Sequence, residues 1–353
     1  MSKKVLLVDD SALMRRVISD IINADTLLKV EDTANNGLDA LQLLLQGKKY
    51  DLILSDINMP KMDGVQLLKE LNKYRIHIPV LVVSSIASAS ANETMEALAL
   101  GAFDFVKKPN GMYAQDTVSF QKHLLLRAYL ACGLFVDTNQ ESEVSKQRVL
   151  PKRLNNGIKS GDFRLVVIAS STGGPKALQS VIPYFPADFP YPIVVIQHMP
   201  FGFTSSLAQR LDAMSPLRVK EAQDGEMIKA GHVYIAQGGK QCELLEQANR
   251  TFILSEKDKP ARGGLKPCAD IFLESLVETS LDNFVCGVLT GMGSDACKGI
   301  QFVKQYKEMK VVAQNEETCV VYGMPRAIAA AGAVNKVVPL EEVANAMIKE
   351  LGV

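Results

Sequence analysis

Short apolar runs alternate with amphipathic stretches along most of this chain. The first runs are Val5-Leu6-Leu7-Val8, Leu52-Ile53-Leu54 and Val80-Leu81-Val82-Val83, with a fourth over Phe103 to Val106. Between them, Ser11 to Asn23 and Gly37 to Leu45 space their apolar residues as helices do. Strands that are apolar at every position need cover on both faces, and helices joining them predict a parallel sheet. A second series opens at Leu165-Val166-Val167-Ile168, continues through Ile193-Val194-Val195-Ile196, and returns at Phe284 to Leu289 and at Val311-Val312-Ala313. From about Asp137 to Asp162 the chain is polar and contains Pro151, Gly157 and Gly161, which predicts a linker. Val118 to Leu134 reads as a helix running into that joint. The pattern predicts an α/β protein with two doubly wound parallel-sheet domains.

The length of 353 residues fits two domains, and 47% hydrophobic with 22% charged residues is enough apolar material for two cores. Lys plus Arg and Asp plus Glu both number 39, so no broad basic footprint for nucleic acid or an anionic membrane is expected. The six cysteines fall at irregular spacings without a C-x-x-C pair, which argues against a zinc site or a disulfide framework and for small buried apolar residues. Only four apolar residues follow the N-terminal lysines, too few for a signal peptide, and no stretch approaches a membrane span. The expected location is cytoplasmic, without membrane insertion.

Chemistry-bearing residues collect at strand ends. Asp9 and Asp10 follow the first strand and Asp56 follows Leu52-Ile53-Leu54-Ser55; Ser84 ends the third and Lys108 follows the fourth. In an open parallel sheet, function gathers at the carboxyl ends of strands. Three carboxylates brought together there repel one another unless a hard cation such as Mg²⁺ lies between them. An acidic metal pocket with one hydroxyl and one lysine suits phosphoryl transfer to a carboxylate. Singly, each aspartate reads equally as a helix N-cap or a turn residue.

In the second half, Ala169-Ser170-Ser171-Thr172-Gly173-Gly174-Pro175 forms a strand-to-helix turn, where a serine serves an oxyanion site, a phosphate site or a simple helix cap. His198 follows the strand Ile193 to Ile196 and is the best placed of four histidines to act as a base; Asp295 also follows a strand. Serine, histidine and aspartate converging on one sheet edge is the arrangement a triad requires. Gly291-Met292-Gly293-Ser294-Asp295-Ala296 also satisfies the dinucleotide pattern G-x-G-x-x-A. Against that reading, the first strand-to-helix turn of the domain, where the pattern normally lies, is the Ser171 turn.

Val8-Asp9-Asp10-Ser11, Ser55-Asp56-Ile57-Asn58-Met59-Pro60-Lys61-Met62-Asp63-Gly64 and Lys108-Pro109 resemble the receiver domains of two-component signalling. Ser-Ser-Thr-Gly-Gly at 170–174, Gln-His-Met-Pro at 197–200, Gly231-His232-Val233-Tyr234-Ile235-Ala236, Leu-Thr-Gly-Met-Gly-Ser-Asp at 289–295 and Tyr322-Gly323-Met324-Pro325-Arg326 resemble the chemotaxis protein-glutamate methylesterases, the CheB family. The resemblance implies a (βα)5 flavodoxin-like receiver over 1–123, a helical or polar linker over 124–160, and a three-layer α/β/α hydrolase domain over 161–353. It implies Asp56 as phosphoacceptor, Asp9, Asp10 and Asp56 as Mg²⁺ ligands, Ser84 and Lys108 as phosphoryl contacts, and Phe105 as a switch aromatic. In the hydrolase it implies Ser171 as nucleophile, His198 as base, Asp295 as the orienting carboxylate, and Thr172 and Met292 in the substrate and oxyanion region, with no cofactor for the ester reaction.

The implied activity is hydrolysis of glutamate γ-methyl esters on chemoreceptors, releasing methanol, together with deamidation of receptor glutamines. The implied partners are those membrane-bound receptors and a histidine kinase as phosphodonor, with the enzyme peripheral to the receptor arrays. A response regulator with a non-enzymatic binding module is the alternative. The chain departs from the family pattern at Ala296-Cys297, at Gln241 where a histidine is often found, and at Lys266 where an arginine is common.

Overall fold

A computed structural model describes residues 2–85, 88–109, 114–134 and 164–353. The first unit runs β1 (Lys3–Val8), α1 (Ala12–Asn23), β2 (Leu28–Ala34), α2 (Gly37–Leu45), β3 (Leu52–Asp56), α3 (Gly64–Lys73), β4 (Val80–Ser84), α4 (Ser88–Ala99), β5 (Asp104–Lys107) and α5 (Ala114–Ala131). Its five strands are all parallel, in the order β2-β1-β3-β4-β5. Ser11 starts α1 by accepting from the Met14 N–H, and Asp63 starts α3 in a reciprocal capping box with Gln66. Val5, Leu7, Leu52, Leu54, Leu81 and Val83 face α1 and α5, while Leu6, Val8, Ile53, Val80 and Val82 face α2, α3 and α4. Both sheet faces are therefore covered, as the unbroken apolar runs require. Of the linker expected over 124–160, α5 occupies the first residues up to Ala131, and residues 135–163 lie outside the described part.

The second unit runs β6 (Leu165–Ser170), α6 (Gly174–Gln179), β7 (Ile193–Gln197), α7 (Phe203–Asp212), β8 (Arg218–Glu221), β9 (Glu226–Met227), β10 (His232–Ile235), β11 (Gln241–Glu246), β12 (Phe252–Lys257), α8 (Ala269–Leu276), β13 (Asn283–Val288), α9 (Cys297–Lys304), β14 (Glu308–Gln314), α10 (Met324–Ala330), β15 (Lys336–Val338) and α11 (Val343–Leu351). Seven parallel strands lie in the order β15-β14-β13-β6-β7-β10-β8. Val166, Ile168, Ile193, Val195 and Val312 pack on α6, α7 and α11. Leu165, Val167, Val194, Ile196, Cys286 and Val311 pack on α8, α9 and α10 and on a small antiparallel sheet, β11-β12-β9. This is the three-layer α/β/α arrangement, with the antiparallel sheet as an addition the apolar pattern does not announce.

Candidate active site and acidic pocket

The order of the seven strands places a switch point at β6. From it the chain winds through β7 towards β10 and β8, and later through β13 towards β14 and β15 on the other side. The crevice at the carboxyl ends of β6 and β13 is where such sheets bind ligands. Register does the rest. Ser170 pairs with Gln197, so the next residues outward, Ser171 and His198, lie side by side beyond the strand ends.

Backbone and side-chain bonds fix these two turns. The Ser171 N–H donates to the Thr290 carbonyl at 3.0 Å, and the His198 N–H donates to the Ser170 carbonyl at 3.1 Å. Gln197, fully buried, accepts from Ser170 Oγ at 2.6 Å and donates Nε2–H to the Ser171 carbonyl at 3.0 Å and the His198 carbonyl at 3.2 Å. One amide thus ties the serine turn to the histidine turn. Because the Ser171 N–H is engaged, an oxyanion at this edge needs other donors. Thr172 is buried with its carbonyl accepting from Thr290 Oγ1, and Met292 lies against Gly323, so both sit at the crevice.

His198 Nε2 lies 2.7 Å from Asp295 Oδ2. Asp295 also accepts from the N–H groups of Ala269 (2.6 Å) and Asp270 (3.0 Å) at the start of α8, and from Cys268 Sγ at 3.2 Å. Burial alone pushes this carboxyl up, but the hydrogen bond and charge of His198, aided by the two backbone donors, hold it well below the usual range. An ionised acceptor assigns the ring proton to Nε2 and leaves Nδ1 with a lone pair. His198 Nδ1 is buried and has no hydrogen-bond partner among the described residues.

The glycines of the dinucleotide-like pattern have local structural reasons. A Cβ on Gly291 would lie 2.4 Å from Met324 Sδ and 2.8 Å from Ser171 Cβ, and Gly293 has φ +81. Gly291 therefore allows the Asp295 loop to lie against the serine turn. Gln241 is completely buried and satisfied: it accepts from the Cys268 N–H at 2.9 Å and donates to the carbonyls of Pro260 (3.2 Å) and Leu265 (3.0 Å). It shapes the segment whose next two N–H groups bind Asp295. Gln197, Thr290, Cys268 and Asp270 were not singled out from the sequence. Gln197 had a signal, being the polar end of an apolar strand, whereas the others acquire partners only through tertiary packing.

In the first unit, Val8 pairs with Ser55, so Asp9 and Asp56 emerge side by side at the strand ends. Oxygens of Asp9, Asp10 and Asp56 lie within 4.8 Å of one another. Lys108 Nζ reaches Asp9 at 2.8 Å and Asp56 at 2.6 Å. Burial pushes the Asp56 carboxyl up despite that lysine, with Asp9 adding repulsion; on Lys108, burial is outweighed by Asp56 and Asp9, which raise it. Two buried acids share one ammonium, and charge remains to be balanced. Ser84, fully buried, accepts from Thr94 Oγ1 at 2.8 Å.

The two units meet at these edges. Phe105 packs on Phe203, the first residue of α7, with ring centroids 4.5 Å apart. The helix α4 lies against α6 and α7, and a cleft lined by Leu98, Ala102 and Phe103 on one side and Gly173, Pro175 and Val320 on the other opens beside the Ser171 turn.

A parallel five-stranded receiver with an acidic pocket, joined to an α/β/α domain with serine, histidine and aspartate at its switch point, defines a response-regulator hydrolase. Family models agree: residues 5–114 match the response regulator receiver domain and residues 166–347 the CheB methylesterase. The chain belongs to the CheB methylesterase family. It is 40% identical to protein-glutamate methylesterase/protein-glutamine glutaminase 1 of Syntrophomonas wolfei, over 99% of both chains. It is 39% identical to the Archaeoglobus fulgidus protein-glutamate methylesterase/protein-glutamine glutaminase, over 99% of this chain and 98% of that one. The crystal structure of the Thermotoga maritima CheB methylesterase catalytic domain matches with 43% identity and a TM-score of 0.51, covering 53% of this chain and 98% of that one. A non-enzymatic binding module is not favoured. Among the described residues no helix is long and apolar enough to cross a membrane.

Proposed function

We propose that this chain hydrolyses glutamate γ-methyl esters on chemoreceptors, releasing methanol, and deamidates receptor glutamines, under control of phosphorylation at Asp56. The observation that carries the reading is His198, bound through Nε2 to Asp295 while its buried Nδ1 has no hydrogen-bond partner among the described residues and its turn lies beside Ser171. In this mechanism Nδ1 accepts the Ser171 Oγ proton as Oγ bonds to the ester carbonyl carbon. Asp295 holds the ring and stabilises the imidazolium. The C–O bond to the leaving group then breaks, and His198 returns the proton so that methanol departs. Water, deprotonated by the same Nδ1, hydrolyses the acyl-serine to a glutamate carboxylate. With a glutamine substrate ammonia leaves instead. Thr172 and Met292 line the region where the carbonyl oxygen binds.

Control begins at the acidic pocket. Three carboxylates within ligating distance are the hard oxygen donors Mg²⁺ prefers, so Asp9, Asp10 and Asp56 would hold it. The bound ion would supply charge neutralisation for phosphoryl transfer to Asp56 from a histidine kinase. Ser84 and Lys108 contact the phosphoryl group and Phe105 answers the change. The receiver (1–123), joined through 124–160 to the catalytic domain (161–353), packs over the serine edge of that domain until phosphorylation at Asp56 weakens the contact. The protein works in the cytoplasm at the periphery of receptor arrays.

The test is methanol release from methylated receptor membranes with Mg²⁺ and a small phosphodonor. Wild type releases methanol, Ser171→Ala loses several powers of ten, and Asp56→Asn loses the response to the donor. Near-wild-type release by Ser171→Ala would overturn the nucleophile.

A further inference from the structure

Asp270, the second residue of α8, is a buried carboxylate that the mechanism above leaves unused. Its own N–H donates to Asp295 Oδ1 at 3.0 Å, while its Oδ1 accepts from the Gly299 N–H at 2.6 Å. Gly299 is the third residue of α9, whose N-cap, Ala296, is left-handed (φ 74) and supplies no side-chain cap. Asp270 therefore does from α8 what an N-cap side chain normally does from within the helix. The two backbones touch there, since a Cβ on Gly299 would lie 2.9 Å from Asp270 Cα. The loop carrying Asp295 is thus held twice by one residue, through the carboxylate of Asp295 and through the helix that follows it.

We propose that Asp270 is a positioning residue for the hydrolytic reaction: it caps α9 from α8 and keeps Asp295 aimed at His198. The inference rests on the Ser171–His198–Asp295 reading. The charged and titratable groups around Asp270 are Asp295 on the loop, Glu274 on its own helix, Arg262 before it, Cys268 beside it and Cys297 on α9. Burial first, then Asp295 and Glu274, push the Asp270 carboxyl up; Arg262 opposes them but is itself paired with Glu274.

The experiment compares wild type, Asp270→Asn and Asp270→Ala in the full chain, with Mg²⁺ and saturating phosphodonor, reading kcat and KM for methylated receptor from pH 5 to 9. Asn keeps an oxygen for the Gly299 N–H and removes the charge; Ala removes both. The expected result is a kcat loss on the order of 10²-fold for Asp270→Ala at nearly unchanged KM. Asp270→Asn should recover most of kcat, because its amide oxygen still accepts from the Gly299 N–H. Wild-type kcat in Asp270→Ala, or equal losses in both variants, overturns the proposal. If Asp270→Ala does not fold, Asp270→Ser, whose shorter side chain does not reach the Gly299 N–H, takes its place in the comparison. Ser171→Ala is run alongside: methanol release that persists there strikes the triad reading, whereas its loss with silent Asp270 variants strikes only this inference.

Discussion

Phe105 of β5 and Phe203 of α7 face each other across the two domains with ring centroids 4.5 Å apart and planes tilted by 37°. Both rings are buried, and Phe203 lies five positions beyond His198. The residue expected to respond to phosphorylation therefore packs on the helix that follows the base.

Replacing Phe105 with alanine removes a buried aromatic ring from that contact, at a cost of roughly 3–5 kcal/mol where the site cannot collapse. Basal methanol release without phosphodonor should rise several-fold in Phe105→Ala, and the further stimulation by phosphodonor should shrink. Unchanged basal release would mean that this contact does not restrain catalysis.

Chelation separates the two sites. With EDTA, labelling of Asp56 by a small phosphodonor should fall to background, because the cation that Asp9, Asp10 and Asp56 are proposed to hold would be removed and their mutual repulsion left uncompensated. Basal ester hydrolysis by the unphosphorylated chain should be unaffected. A parallel loss of basal hydrolysis would place a metal requirement in the catalytic domain.

Gly291→Ala should lower kcat by on the order of 10²-fold, because the new Cβ would lie 2.8 Å from Ser171 Cβ and 2.4 Å from Met324 Sδ. The phosphorylation kinetics of the receiver should not change. Retention of full kcat would show that the serine turn tolerates displacement.

Glu256 on β12 is buried, and burial pushes its carboxyl up to about 7, with Glu221 adding to the rise. A carboxyl raised on folding favours the native state fully below its unfolded value, near 4.5, and loses that contribution as pH climbs through 7. Glu256→Gln keeps an acceptor for the Gln237 N–H and removes the titration. At pH 8 the variant should be more stable than wild type by roughly 3 kcal/mol, and at pH 4 the difference should all but vanish. Thermal unfolding at the two pH values measures it, and a pH-independent difference would refute the assignment.

The central strands were legible because burial on both faces leaves no polar position: β1, β3, β4, β6, β7, β13 and β14 are each announced by an apolar run. The edge strand β2, Leu-Lys-Val-Glu-Asp-Thr-Ala, alternates buried and exposed positions and was passed over. The strands β8, β10 and β15 and the antiparallel β11 and β12 are short, peripheral or half-polar, so their periodicity is weak. Ser171, His198 and Asp295 were visible because each follows a strand at the edge where α/β sheets bind ligands. What holds them was not. The cradle of Ala269 and Asp270 N–H groups on Asp295, and the clamp of Gln197 between two turns, join residues far apart in the chain through partners that no local spacing encodes.

The apolar residues beneath α2, α3 and α4 and those beneath α6, α7 and α11 form one continuous core, joined where Phe105 meets Phe203. Two folds that are separate in sequence should therefore melt as one cooperative body while they are docked. Undocking divides that body, and each part must then hold its shape with less buried apolar surface. A calorimetric trace should accordingly show a single transition before phosphorylation and two after it. Under the proposed control, signalling would be a change in cooperativity, with the active form the thermally weaker and more adhesive of the two.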